Sequence, residues 1–278
     1  AYAYYQGDAR VLRAQSQRLQ RGPLAGRGTV AGLYGRELNL TASRVDKFYS
    51  CRFAFFMQYG LRAKPRRQAD FAAPEAGTFI HFVLENTLAE LQARDGGVAA
   101  APDADAFAVM RKYVRRYIEE NLGGLENKTA RFRYLFRRLV KTMESVLQNV
   151  LDELRVSDFA PIDYELDFSA GGDLPPVSVS DGGVSAQLSG KVDRVDGYIR
   201  DGRLYVRVMD YKSGKKSFSL SDIWYGLNMQ LVLYLYALQD EGLARYRALL
   251  SRELCEVVPA GVLYVPAREE LLDAGREA

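Results

Sequence analysis

The chain has 278 residues, 48% of them hydrophobic and 26% charged, and a formal net charge of +3; these are the proportions of an ordinary globular protein with a genuine core, in one large domain or two smaller ones. So small a net charge argues neither for nor against nucleic acid, and only local clusters can count. Two cysteines, Cys51 and Cys255, exclude a disulfide framework and fit a reducing compartment; no apolar run approaches the roughly 18 residues of a membrane span, and no GxxxxGK[ST] phosphate loop is present to power a motor.

The chain opens on AYAYYQGDAR, without an initiator Met or the apolar stretch of a signal peptide, and is expected to be a piece of a longer cytoplasmic protein. Residues 8–21 read as a polar helix ended by Gly22-Pro23, and GPLAGRGTVAGLYG reads as a Gly-rich connector. Thr41 or Ser43 can cap a helix through SRVDKFYSCRFAFFMQYG, closed by the basic loop AKPRRQ. Residues 75–94 form a helix with Phe79, Ile80, Val83, Leu84, Leu88 and Leu91 on its apolar side, and two more helical patterns, about 103–122 and 127–155, meet at Gly123-Gly124. After Pro161 the period shortens: IDYELDFS, AQLSGKVDRVDGYI and RLYVRVMDYK read as strands. A helix over Ser219 to Glu241 and a short strand, GVLYVP, complete a mixed α/β core that carries a helical front part.

Charged residues inside the strands are the feature that needs explaining. Alternation puts Leu204, Val206, Val208, Asp210 and Lys212 on one face of one strand, with its two charges at the C-terminal end. Asp193 lies in the preceding strand, 17 residues earlier (210 − 193), where a hairpin can bring it alongside. Converging, partly desolvated carboxylates repel unless a cation neutralises them, and hard carboxylate oxygens suit Mg²⁺ or Mn²⁺. Lys212 would then orient or deprotonate an attacking water and offset charge on a pentavalent phosphate. A surface hairpin with ordinary ion pairs is the plainer reading of D-x-K; Asp193 behind a Gly and the following helix favour a reaction centre.

On that helix Gln230 and Tyr234 stand four apart, and the Gln amide can bond an attacking water or a phosphate. His81 is the only histidine, in GTFIHFVLENTL, with Glu85 one turn on. A nitrogen ligand beside two carboxylates would favour Mn²⁺ over an all-oxygen site. Core or surface positions are the plainer reading of each.

Five stretches in order, TASRVDKFYSCRFAFFMQYGL, GTFIHFVLE, GKVDRVD, DYKSGKK and YGLNMQLVLYLYAL, resemble the RecB-type nuclease domains of the PD-(D/E)xK superfamily, in their AddB-type branch. The resemblance spans about residues 40–266. It implies a restriction-endonuclease-like mixed sheet core with flanking helices and an N-terminal helical subdomain: a polar helix and linker over 1–40, a helical part with the His motif over 41–158, and the nuclease core over 159–278. It further implies a metal bound by His81, Asp193, Asp210 and the main-chain carbonyl of Tyr211, with Lys212, Gln230 and Tyr234 completing the site and Glu165 as an accompanying acid. The implied activity is a Mg²⁺- or Mn²⁺-dependent exonuclease acting on single-stranded DNA, on the 5′-ended strand, in double-strand break repair by recombination in the bacterial cytoplasm. The implied partner is an AddA-like helicase–nuclease subunit, and the ATP dependence lies in helicase parts absent from this chain. A catalytically silent module that holds DNA or the assembly is the rival class.

AddB-type domains commonly hold a four-cysteine iron–sulfur cluster. Cys51 matches its first ligand, Cys255 matches none of the others, and one thiolate cannot hold such a cluster, so none is expected here. Either the chain stops short of the C-terminal cysteines or this member lacks the cluster; Cys51 otherwise reads as a small buried apolar residue. DNA would be guided by a basic ridge, Arg133, Arg137 and Lys141, with Tyr113, Tyr117, Phe132, Tyr134 and Phe136 interleaved among further cations, unless those aromatics are core and the cations merely solvated.

Overall fold

The structure, a computed structural model, describes residues 26–64, 73–181, 183–212, 214 and 218–267. The helix expected over 8–21, and Arg66 and Arg67 of the basic loop, lie outside the described residues.

The Gly-rich connector is not a linker throughout: Arg27–Tyr34 is helical (α1), ending at Gly35 with φ 80°. Strand β1 (Glu37–Thr41) follows. Thr41 caps α2 (Ala42–Ser50), its Oγ1 accepting from the Arg44 amide at 3.3 Å. The single helix expected next is instead interrupted at Cys51, whose φ of −160° is extended backbone; α3 (Arg52–Phe55) and a π-turn (Phe56–Gly60) continue it. Cys51 is exposed and not a core residue; its sulfur accepts from the Ala54 amide at the start of α3.

The helical layer consists of α4 (Ala73–Gln92), α5 (Gly97–Ala100), α6 (Asp103–Tyr117) with a π-turn at Ile118–Leu122, and α7 (Ala130–Val156). In α4 the apolar positions at helical spacing, Phe79 through Leu91, are all excluded from solvent. They pack with Met110 of α6 and with Phe136, Met143 and Leu147 of α7. Each such side chain contributes on the order of 1.5–3 kcal/mol when fully buried.

The sheet has six strands among the described residues: β1, β2 (Ala160–Phe168), β3 (Val177–Asp181), β4 (Val184–Arg200), β5 (Arg203–Lys212) and β6 (Glu256–Pro266). The sequence pattern missed β1 and β3, and understated β6. Strand β4 is central. Its first part pairs with β1 (parallel) and β3 (antiparallel), its second with β2 and β5 (both antiparallel), while β6 adds in parallel to β5. The mixed pairing with helices on both sides is the expected restriction-endonuclease-like α/β architecture.

The helix expected over 219–241 is two helices, α8 (Leu220–Trp224) and α9 (Gln230–Leu250). Gly226 (φ 76°) and Asn228 (φ 55°) adopt left-handed backbone between them, which ends α8 and makes Gln230 the first residue of α9. Leu231, Tyr234, Ala237 and Leu238 of α9 pack with Leu204, Val206 and Val208 of β5, whereas Tyr211 of β5 joins the helical-layer core. Opposite parity along β5 therefore places α9 and the α4–α7 layer on opposite faces of the sheet.

Candidate metal and active site

Strand β4 meets β5 through a ladder that runs from Arg200↔Arg203 to Arg194↔Met209. Just past that ladder the Tyr211 amide donates to Asp193 Oδ2 at 2.8 Å, so a carboxylate takes a place that a strand carbonyl would fill. Asp193 is 8% exposed. On its other side, β2 pairs Tyr164↔Arg194 and Leu166↔Val192, and between them Glu165 has φ 47°. Left-handed backbone in a non-glycine residue of a strand costs on the order of 1–3 kcal/mol and is kept where the surroundings over-determine it.

His81 reaches this point from α4. Its Nδ1 lies 3.3 Å from Asp193 Oδ1 and 3.4 Å from Glu165 Oε1, and its Nε2 lies 3.3 Å from the Tyr211 carbonyl oxygen. Burial alone would disfavour the charged imidazole, but hydrogen bonds and Coulomb attraction from Asp193 and Glu165 outweigh it and push the pKa up to about 10. For Glu165 burial acts in the opposite direction and would raise the pKa; His81 and Lys191, whose Nζ is 2.9 Å from Glu165 Oε2, overcome it and hold the carboxyl below its ordinary range. Glu85, one turn from His81, is raised by burial and by the charge of Glu165.

One ligand atom each from His81, Glu165 and Asp193 lies within 4.8 Å of the others, the grouping a metal ion requires. Two carboxylates and an imidazole nitrogen, with a main-chain carbonyl against the same ring, form a hard, mixed oxygen–nitrogen donor set that fits Mg²⁺ or Mn²⁺. The proton that His81 holds offsets the acids' charge where a cation would do so. Of the four expected ligands, His81 and Asp193 thus meet at Nδ1, with Glu165 beside them, while the Tyr211 carbonyl stands at Nε2, the other nitrogen of the ring.

Asp210 belongs to an adjoining cluster. It is 1% exposed, and its Oδ1 accepts from Lys212 Nζ at 3.0 Å and from Gln230 Nε2 at 2.9 Å, while the Lys212 ammonium is ion-paired 2.8 Å from Oδ2. Gln230 Nε2 also lies 3.1 Å from the Tyr234 hydroxyl, and Lys212 Nζ lies 3.4 Å from Gln230 Oε1. The Tyr234 pKa is pushed up to about 12, chiefly by burial. Asp210, Lys212, Gln230 and Tyr234 therefore form one hydrogen-bonded group, joined to the first through the peptide between Asp210 and Tyr211.

Gly190 allows this close packing. A Cβ there would meet Tyr234 Cε1 at 2.6 Å and Phe168 Cζ at 2.7 Å. Lys191, which no sequence motif singles out, is the residue that pairs with Glu165; its place two before Asp193 in GKVD is the one available signal. Arg194 and Asp196, equally unmarked, are fully buried charges in the same motif.

The basic ridge is exposed along α7 at Arg133, Arg137 and Lys141. Of the interleaved aromatics, Tyr117 and Phe136 are core, Phe132 stacks on Phe136, the Tyr113 hydroxyl donates to Glu90, and Tyr134 is exposed. On α6, Lys112 and Arg116 are paired to Glu90 and Glu120.

Residues 39–276 match the family described as the PD-(D/E)XK nuclease superfamily. The chain is 32% identical over 249 residues to an ATP-dependent helicase/deoxyribonuclease subunit of Clostridium tetani, covering 89% of this chain and 21% of that protein. It is 36% identical over 214 residues to the subunit of the same name in Clostridium botulinum strain Hall, covering 76% and 18%. For the corresponding subunit of Ruminiclostridium cellulolyticum the figures are 34% over 233 residues, 84% and 20%. The chain thus spans about a fifth of the length of these relatives.

Proposed function

The chain belongs to the PD-(D/E)XK nuclease superfamily, and from that premise we propose that it is a divalent-metal-dependent deoxyribonuclease domain that hydrolyses phosphodiesters in single-stranded DNA. The observation that carries the reading is the meeting of His81, Glu165, Asp193 and the Tyr211 carbonyl beside the Asp210–Lys212 pair.

His81, Glu165 and Asp193 would hold Mg²⁺ or Mn²⁺, with the Tyr211 carbonyl and the Asp210 carboxylate as the next oxygens. A bound divalent ion supplies Lewis acidity at phosphorus and a water of lowered pKa. The chain's own groups do the rest. Lys212 places a cation where a phosphorane would gather charge. Gln230, a donor to Asp210, orients that carboxylate and a water next to it, and Tyr234 fixes the amide. Arg133, Arg137 and Lys141 would follow phosphates, and nothing in the sequence resembles a base-reading element, so cutting is independent of sequence.

The relatives named as helicase/deoxyribonuclease subunits suggest the setting. The domain would act as an exonuclease on strands unwound by an ATP-driven, AddA-like helicase–nuclease subunit, in recombinational repair in the cytoplasm. The test is metal-dependent cleavage of end-labelled single strands by the parent and by Asp210→Ala. Loss of cutting with DNA binding retained is expected; equal turnover by the two proteins sinks the assignment. A parent that binds strands but never cuts, with metal and helicase partner present, is instead a DNA-holding module.

A further inference from the structure

The buried charges of GKVDRVD have no role in the chemistry above. Arg194 is 0% exposed; it hydrogen-bonds two residues and lies 3.8 Å from Glu153. Nε and one terminal nitrogen grip Asp196 at 2.7 and 2.9 Å, a bidentate pair, while the other terminal nitrogen donates to the Tyr211 hydroxyl at 2.8 Å. Asp196 is itself 0% exposed and accepts from Arg207 Nε at 3.0 Å. Arg207 also donates to Glu153 of α7 at 2.6 Å. A chain of hydrogen bonds thus runs from α7 across the helical-layer face of the sheet to one phenol.

That phenol belongs to the residue whose main chain enters the proposed metal site. The Tyr211 amide bonds Asp193 and its carbonyl faces His81 Nε2. Ordinary strand pairing holds it on one side only: β6 pairs through Tyr211↔Val265 and Lys212↔Pro266, but the β4 ladder has ended at Arg194↔Met209. On the β4 side the peptide is fixed by the Asp193 carboxylate and, through the ring, by Arg194.

We infer that Arg194, oriented by Asp196, is a positioning residue that locks Tyr211 so that its carbonyl and amide hold His81 and Asp193, two residues of the proposed metal site, in place. The inference rests on the metal-site reading above. Stability alone is a poor reason for the network, because a buried ion pair is commonly matched or bettered by apolar side chains of similar volume, whereas the planar fork of an Arg fixes direction. Among the described residues, the Arg194 hydrogen bond and core packing hold the far end of the Tyr211 ring.

The test is Tyr211→Phe in the 278-residue chain, which removes the hydroxyl and keeps the ring. Mn²⁺ affinity is measured by calorimetry, with no DNA and no turnover needed. Loss of an outer-shell partner typically weakens metal binding about 10–100-fold, and at least about tenfold is expected here, with a cooperative melt retained and turnover recovering at saturating Mn²⁺. Arg194→Lys, which keeps the charge and loses the fork, should shift affinity in the same direction. Leu238→Ala, a loss of core volume on the α9 face and outside the network, should lower the melting temperature and leave Mn²⁺ affinity at the parent value. Parent-like affinity in Tyr211→Phe overturns the inference, as does an equal loss in Leu238→Ala. A parent that binds Mn²⁺ but does not cut, with the helicase partner present, removes the nuclease reading alone; a parent that binds no Mn²⁺ removes both.

Discussion

His81 is the only histidine in the chain, so its imidazole gives a single, assignable titration by NMR. In the metal-free protein its pKa stands at about 10 because Asp193 and Glu165 hold the charged ring against burial. The sign follows from linkage. A pKa raised above the unfolded value stabilises the fold fully below about 6.5, and that contribution fades as pH climbs through about 10. Metal binding runs the other way, since a ligating imidazole must be neutral and its proton must leave. At pH 8 the solution lies about two units below that pKa, so displacing the proton weakens Mn²⁺ binding about a hundredfold relative to a neutral ring. Between pH 7 and 9 the apparent affinity should rise about tenfold per unit. Calorimetry at pH 8 in two buffers of different ionisation enthalpy should find close to one proton released per ion bound. Glu165→Gln, which removes one of the two charges facing Nδ1, should lower the imidazole pKa and reduce the proton count at pH 8. A ring that titrates near 6.5, or an ion that binds at pH 8 with no proton released, would refute the geometry that places His81 between two carboxylates.

Two other perturbations test the scaffold and the DNA path. Gly190→Ala would force a Cβ into the rings of Tyr234 and Phe168; overpacking of this kind costs about 1–3 kcal/mol, so a lower denaturant midpoint is expected together with slower cutting, and an unperturbed midpoint would show that the two rings can move aside. Replacing Arg133, Arg137 and Lys141 with Gln should weaken single-strand binding and reduce the slope of log affinity against log salt by about 2, near 0.7 for each phosphate that is no longer neutralised. An unchanged slope assigns that face of α7 to solvent.

Much of this was legible because the signals are local. The apolar positions of α4 and α7 repeat at helical spacing, β5 alternates as far as Val208, and DYK places an acid and a lysine two apart on one strand face. The illegible parts depend on partners distant in the chain. Strand β1 is five residues of mixed character that become a strand only by pairing with β4. Residues 219–241 carry a continuous helical pattern, and the break comes from left-handed backbone at Gly226 and Asn228. The Cys51 break leaves no apolar signature either. Within the site, His81 and Asp193 could be named from motifs, but the φ of Glu165 and the pairing of Lys191 with it are tertiary facts.

Acids inside a strand have a physical cost, since a sheet built only for stability would place apolar side chains at 193, 194, 196 and 210. What the charges provide is division of labour across the sheet. His81 is carried by α4, whose neighbours Phe79, Ile80 and Val83 belong to the helical-layer core, while Gln230 and Tyr234 are carried by α9 on the other face, the Tyr234 ring set edge-on to Phe168 at 5.1 Å. The cation seat therefore depends on one core and the Asp210–Lys212–Gln230 arm on the other, linked by the 210–211 peptide and by Lys191, which meets Tyr234 through its backbone and Glu165 through its side chain. Damage to the helical layer should be read as lost metal affinity, and damage around α9 as lost turnover at saturating metal. The fully buried Arg194–Asp196 pair, anchored to α7 through Arg207 and Glu153, holds the Tyr211 side of the 210–211 peptide from the helical-layer face.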